Sequence, residues 1–245
     1  MKRLNMKIVP VILARADSTR LPGKVLAPIY SGRSIVQHLC EQVHILASEI
    51  DCIAPPILAT SHRKQDDEVG KLGELNNIEV HRGDLQPLVR LCEIASSKQN
   101  VWLWRLNADS PLILFPLIKH VADIKNKINS STPLVTNLVN RTFPYGISLE
   151  MFRSSWLNNL KETRFTQDES ENITHIKDRL DESDIYSVEA NDLGISSFQS
   201  TVRLTIDYDY DADFFNSLWN KRAFVSTEIG SIERITYAYK ERQKL

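Results

Sequence analysis

Ile8-Val9-Pro10-Val11-Ile12-Leu13-Ala14-Arg15-Ala16-Asp17-Ser18-Thr19-Arg20-Leu21-Pro22-Gly23-Lys24 is the stretch that decides how this chain folds. Its apolar start predicts a buried strand. The loop that follows carries three cations, Arg15, Arg20 and Lys24, with two hydroxyls and a Pro-Gly pair. A strand, a basic loop and then a helix is how α/β proteins build a phosphate site at the carboxyl edge of a sheet. Gly23 lets backbone come close to an anion, and Pro22 stiffens the turn. The string is neither G-x-x-x-x-G-K-[ST] nor G-x-G-x-x-G. Taken alone, its cations suit a solvated loop paired with surface carboxylates equally well.

Outward from this loop, strand-like runs alternate with helical patterns. A helix is expected from about Ser34 to Ser48, with Ser34 and Gln37 forming a capping box and Ile35, Leu39, Val43 and Leu46 on one face. Strands are expected at Pro56–Thr60, Ile78–His81 and Val101–Leu106. Helices are expected at Asp66–Leu75, Leu85–Ser96 and Leu114–Lys127. This βαβ rhythm predicts an α/β fold with one doubly wound, mostly parallel sheet. The second half is less regular. Strands are expected at Leu134–Thr136, Ile147–Phe152, Ile185–Val188 and Thr201–Ile206, and helices at Ser154–Lys161, Glu169–Arg179, Ala212–Lys221 and Glu228–Arg242. No linker or repeat divides the chain, so residues 1–245 read as a single domain with an irregular β-containing insertion near 137–185.

The composition excludes several classes of function. Thirty basic against 31 acidic residues give a net charge of −1, so no global field favours nucleic acid or anionic membrane. Cys40, Cys52 and Cys92 are far apart and form no C-x-x-C, which argues against a zinc knuckle or a disulfide framework. No apolar stretch is long enough for a bilayer, and the start has no signal-peptide pattern. The reading is a cytoplasmic protein without nucleic-acid or membrane partners, with Met1 or Met6 as its start.

Two carboxylates stand where chemistry is expected. Arg105-Leu106-Asn107-Ala108-Asp109-Ser110-Pro111 closes the Trp-rich strand, and Asp109 there can hold a divalent cation against a phosphate. On local pattern alone it reads first as the cap of a following helix, with Pro111 in the first turn. Val202-Arg203-Leu204-Thr205-Ile206-Asp207 repeats the arrangement. The neighbours Asp209, Asp211 and Asp213 read as a solvated acidic turn. Their D-x-D-x-D spacing lacks the Gly and the distal Glu of an EF-hand loop.

The opening loop resembles the A-R-x-x-S-T-R-L-P-G-K signature of the sugar cytidylyltransferases. Further matches follow in order: Ala59-Thr60-Ser61, Asp66-Asp67, Val80-His81-Arg82-Gly83-Asp84, and Arg105-Leu106-Asn107-Ala108-Asp109-Ser110-Pro111-Leu112-Ile113, the last being similar to the metal-aspartate motif of the spore-coat polysaccharide branch. Leu204-Thr205-Ile206-Asp207 resembles the family's L-T-x-D. The resemblance implies a Rossmann-like nucleotidyltransferase fold, a Mg²⁺ cofactor, CTP and a sugar acceptor as substrates, and a homodimer. By position it implies nucleotide contacts from Ala14, Arg15, Ser18, Arg20, Lys24, Thr60, Arg82, Gly83 and Arg105. Arg15, Lys24, Asp109 and Asp207 are the implied catalytic set, and Asp109 and Asp207 the metal ligands. Arg82 has a second reading, as a turn-stabilising surface arginine.

The sugar-side motifs match less well. Asn137 to Glu150 resembles N…R-T-x-P-x-G-x-D-x-E, with Ser148 where the family has Asp. Ser170-Glu171-Asn172-Ile173-Thr174 stands where the family has R-E-H-x-T. Arg141, Tyr145, Glu150, Glu171 and Thr174 are the implied acceptor contacts. Losing a cation and a carboxylate together implies an altered acceptor pocket. No histidine in these motifs stands where a general base is needed; His62 and His81 read as polar fillers. The implied reaction is Mg-dependent transfer of a cytidylyl group from CTP to an acidic keto-sugar. The alternatives are a nucleotidyltransferase for another nucleotide or alcohol, and a catalytically silent nucleotide-binding protein.

Overall fold

Apart from Pro10, each side chain of the opening strand joins one of two cores. In the computed structural model, which describes residues 6–30, 32–125, 127–160 and 164–245, β1 (Ile8–Leu13) is wholly buried. Ile8 and Ile12 join one hydrophobic cluster, and Val9, Val11 and Leu13 join the other. This period of two puts apolar side chains on both faces, as a central strand covered by helices requires.

The further strands and α-helices of the described residues are β2 (Pro28–Tyr30), β3 (Arg33–Ser34), α1 (Ile35–Glu49), β4 (Ile57–Ser61), α2 (Asp67–Leu75), β5 (Glu79–Gly83), α3 (Pro87–Ser97), β6 (Trp102–Asn107), α4 (Phe115–Ile124), β7 (Leu134–Thr136), β8 (Glu150–Arg153), α5 (Ser154–Leu160), α6 (Gln167–Glu171), β9 (Ile185–Ser187), α7 (Asp209–Trp219), α8 (Arg222–Val225) and α9 (Ile232–Arg242). Seven strands form one sheet in the order β5-β4-β1-β6-β8-β7-β9. β1, β4, β5 and β6 pair in parallel, β8 runs antiparallel to β6 and β7, and β9 is parallel to β7. The fold is the expected α/β class with a mostly parallel sheet. All three cysteines are buried and free.

Ser34 caps α1 through the expected box: its hydroxyl accepts from the Gln37 N–H, and the Gln37 side chain accepts from the Ser34 N–H. The structure departs from expectation in several places. The β2–β3 hairpin lies between the basic loop and α1, so no helix N-terminus follows that loop directly. Residues 201–206 stay outside the seven-stranded sheet, and Arg203 forms a bridge to Tyr145 instead. The helix expected over Glu169–Arg179 breaks at Asn172 into α6 and a 3₁₀ helix, Ile173–Arg179. Arg82 and Gly83, expected in a closing turn, end β5. Of the start and the helix expected over Ser154–Lys161, Met1 and Lys161 lie outside the described residues.

Candidate active site

The carboxyl ends of β1 and β6 open onto one cleft of about 460 Å³. Ala14, Arg15, Ser18, Arg20, Lys24, Arg105, Asp109, Arg141, Tyr145, Glu171 and Thr174 all line it. The basic loop is fixed there from beneath. Buried Asp66 accepts the Ala16 N–H at 2.7 Å, and the Ser18 hydroxyl accepts the Leu21 N–H. The backbone N–H of Gly23 returns to the Ala16 carbonyl.

Lys24 is buried, and its ammonium gathers three oxygens: Ile206 O at 2.7 Å, Asp207 Oδ1 at 3.1 Å and Asp109 Oδ2 at 3.7 Å. The two carboxylates therefore converge on one positive charge. Asp109 faces the cleft with 29% of its side chain exposed. It sits ahead of α4, whose N-cap is Leu114, so the capping alternative does not hold. Ile206 N donates to the Asp109 carbonyl at 2.8 Å, which ties the two acidic segments together.

Asp207 lies below the cleft floor, with 3% of its side chain exposed. Arg20 reaches Oδ1 at 2.7 Å, Arg203 pairs with Oδ2, and the Thr205 hydroxyl donates at 3.1 Å. Burial pushes the Asp207 carboxyl up, but Lys24, by charge and by hydrogen bond, and then Arg20 more than reverse this and hold it below the usual carboxylate range. Asp211 is no solvated acidic turn. It is buried, pairs with Arg242 and accepts the N–H groups of Asp207 and Tyr208.

Among the described residues no three His, Cys, Asp or Glu side chains gather as a metal cage. Two hard carboxylates and a carbonyl around one charge nonetheless suit a magnesium ion, which takes few protein ligands and completes its shell with phosphate and water. Asp109 is the accessible member of that set. Asp207 is already engaged by Lys24, Arg20 and Arg203.

On the β8 side, Arg105 forms an ion pair with Glu150 and donates to the Thr174 hydroxyl at 2.9 Å. Glu150 is buried behind Arg105 rather than lining the main cleft. The Arg141 guanidinium lies 5.2 Å from the Tyr145 ring centroid. Asn172 and His175 also face the cleft, three residues apart on one side of a 3₁₀ turn. Asp168 binds both, accepting Asn172 Nδ2 at 2.9 Å and contacting His175 Nδ1. A histidine does therefore stand at the site, one turn beyond Asn172, where the family motif has it.

Thr60, Arg82 and Gly83 lie outside the cleft lining. Thr60 is fully buried in β4. Arg82 pairs with Asp67 at 2.7 Å and donates to the Arg63 carbonyl. Arg90 and His175 are among the lining residues that the sequence motifs did not assign to the site. Arg90 falls on a helical face with Leu91 and Ile94 and reads as the edge of an amphipathic stripe, so its burial gave no signal.

A family model described as cytidylyltransferase matches residues 9–235. The chain is 33% identical over 137 residues to a 3-deoxy-manno-octulosonate cytidylyltransferase of Aeromonas salmonicida (strain A449), covering 54% of this chain and 50% of that protein. It thus spans about half the length of that relative. It is 25% identical over 234 residues to the spore coat polysaccharide biosynthesis protein SpsF of Bacillus subtilis (strain 168), covering 94% and 92%. In fold it is similar to a cytidylyltransferase from Leptospira borgpetersenii serovar Hardjo-bovis (strain JB197), with a TM-score of 0.77, 24% identity and coverage of 98% and 93%. It is also similar to a CMP:2-keto-3-deoxy-manno-octonic acid synthetase complexed with CTP, with a TM-score of 0.59, 17% identity and coverage of 86% and 98%.

Proposed function

The chain belongs to the cytidylyltransferase family, and on that footing we propose that it transfers the cytidylyl group of CTP to a hydroxyl of an acidic keto-sugar, releasing pyrophosphate and feeding polysaccharide synthesis. The observation that carries this is the Lys24 ammonium held between Asp109 and Asp207 on a cleft lined by Arg15 and Arg20.

In this reading Arg15, Arg20 and Lys24 neutralise the triphosphate. The sugar hydroxyl attacks the α-phosphorus in line through its oxygen and gives up its proton to water. The new bond joins that oxygen to phosphorus, the bond to the β-phosphate oxygen breaks, and its electron pair leaves with pyrophosphate. Preorganised cations lower the barrier because their charges already face the oxygens on which negative charge builds. A divalent cation held by Asp109 and Asp207 would supply further neutralisation at the phosphoryl oxygens. On the acceptor side, Arg141 pairs with the sugar carboxylate. Arg105 is fixed by Glu150 and Thr174, and Tyr145 and Glu171 complete that wall.

The same reading takes residues 1–245 as one cytoplasmic domain that works as a homodimer, with residues near 137–185 serving the acceptor and the partner copy. Light scattering on the eluting protein measures that assembly. Among the described residues no helix is long and apolar enough to cross a membrane.

Pyrophosphate release tests the function, with CTP, magnesium and a panel of sugar acids that includes 3-deoxy-manno-octulosonate. Release that needs both nucleotide and sugar supports it. CTP binding without release on any sugar favours a silent nucleotide-binding protein, a reading supported by Ser148, Ser170 and Asn172 in the sugar motifs. Binding of another nucleotide in place of CTP removes the cytidylyl assignment.

A further inference from the structure

Arg90 is a buried cation in the cleft wall whose fork is only partly engaged. Its residue is 1% exposed. Nη1 donates to the Asp84 carbonyl at 2.9 Å, and Nε is buried with no hydrogen-bond partner among the described residues. Such a group costs stability in the free protein, so an orphaned donor at a cleft calls for a ligand acceptor. Burial pushes the guanidinium down to about 10, and neighbouring Arg15 adds to this, while Asp66, Glu93 and Asp84 oppose it.

The chain makes room for this arrangement. A Cβ on Gly83 would come within 2.0 Å of Glu93 Oε2, 2.7 Å of His81 Nε2 and 3.1 Å of Arg90 Cγ, so glycine at that point of β5 leaves room for these three side chains. Pro87 lies one helical turn before Arg90 in α3, and both line the cleft. Leu13, Ala14 and Val25 add apolar wall. Arg90 thus offers a donor-only group beside Pro87 in the cleft wall, which suits a ligand edge that presents acceptors.

Position argues the same way. The sheet order β5-β4-β1-β6 places the end of β5, and Arg90 beyond it, across β1 from the Asp109 end of β6. A nucleotide with its phosphates at Lys24 and Asp109 has its base left for the β5 side. We propose that Arg90 reads the base of the nucleotide and selects cytosine over uracil. This rests on the proposed use of CTP and names the residue that sets it.

The chemistry is one of matched donors. Cytosine presents two adjacent acceptors, O2 and N3, to a group that can only donate. Uracil presents an N3–H instead, which leaves donor facing donor, and sites built on a hydrogen bond reject analogues that cannot make it. Thr60, Arg82 and Gly83, which the family resemblance places at the nucleotide, lie outside the cleft lining and leave this role open.

Calorimetric titration of the full chain with CTP, UTP and inorganic tripolyphosphate tests the proposal. Wild type should bind CTP at least about tenfold tighter than UTP. Arg90→Gln should bring CTP affinity down to that of UTP and leave tripolyphosphate affinity within about twofold. An unchanged CTP-to-UTP ratio in the variant overturns the proposal, as does parallel loss of CTP and tripolyphosphate, which would make Arg90 a phosphate clamp. Should Arg90→Gln fail to fold, the Arg90 Nε–H resonance of ¹⁵N-labelled wild type decides. It must shift on adding CTP and stay put with tripolyphosphate; the reverse overturns the proposal. Wild type that binds no CTP removes the cytidylyl reading itself, and with it this one.

Discussion

The Lys24 ammonium lies 3.1 Å from Asp207 Oδ1, although 183 residues separate the two in the chain. Both groups are buried, so neither can exchange its partner for water without cost. The basic loop and the segment 202–207 are thus held as one unit.

Removing the carboxylate should be costly. Asp207→Asn leaves Lys24 buried beside a neutral amide and strips Arg20 and Arg203 of their shared partner. Breaking a buried pair in this way costs about 3–5 kcal/mol, to be read from urea unfolding at pH 7. The wild-type carboxyl stands below its ordinary value. Its contribution is therefore complete above about pH 4 and is lost as pH falls through the lower folded value. That acid limb should be missing in the variant.

Asp109 should behave differently. It is partly exposed and makes fewer contacts, so Asp109→Asn should unfold near the wild-type denaturant midpoint. Pyrophosphate release should nevertheless fall by about a hundredfold or more, because the lost charge faces the reacting phosphate. Lys24→Ala is expected to weaken CTP binding as well, measured by calorimetry. Unchanged affinity would return the opening loop to a surface role.

Gly146 should not tolerate a side chain. It has φ +102°, and a Cβ there would lie 2.6 Å from the Leu204 carbonyl oxygen. Tyr145 on one side exchanges backbone hydrogen bonds with Val202 and Leu204, so this contact sets where Asp207 begins. Gly146→Ala should cost about 1–3 kcal/mol. Calorimetry should then show Tm falling by about 2–4 °C per kcal/mol.

His38 supplies a separate pH dependence. It sits in α1 edge-on to Trp219, with ring centroids 5.0 Å apart. Burial lowers its pKa to about 4; Glu41 opposes this, and Arg234 and Arg33 reinforce it. Above about pH 6.5 both folded and unfolded chains carry it neutral. Below that the unfolded chain takes the proton first, so stability drops by about 3 kcal/mol between pH 6.5 and 4. His38→Gln should flatten the unfolding free energy over that window.

Much of the architecture was legible because the strands announce themselves. Ile8–Leu13 and Trp102–Asn107 are near-continuous apolar runs, and Ser34 with Gln37 marks a helix start by local chemistry alone. Residues 201–206 were misread because alternation of Val202, Leu204 and Ile206 describes any chain with one buried side. Whether that chain joins a sheet depends on Tyr145, far away in sequence. At the site, Arg15, Lys24 and Asp109 could be found because they stand in ordered motifs. Arg90 could not, since what distinguishes it is the engagement of a single nitrogen. Asp211 looked solvated because its partner, Arg242, sits 31 residues on.

That last pairing has a mechanical consequence. Arg242 ends α9 and grips the carboxylate that accepts the Asp207 and Tyr208 N–H groups. Fraying of the final helical turn therefore reaches the cleft floor in two steps, through Asp211 to Asp207. Tightening of the floor by a nucleotide must travel back along the same route, so amides near the carboxyl terminus should exchange with deuterium more slowly when CTP is present.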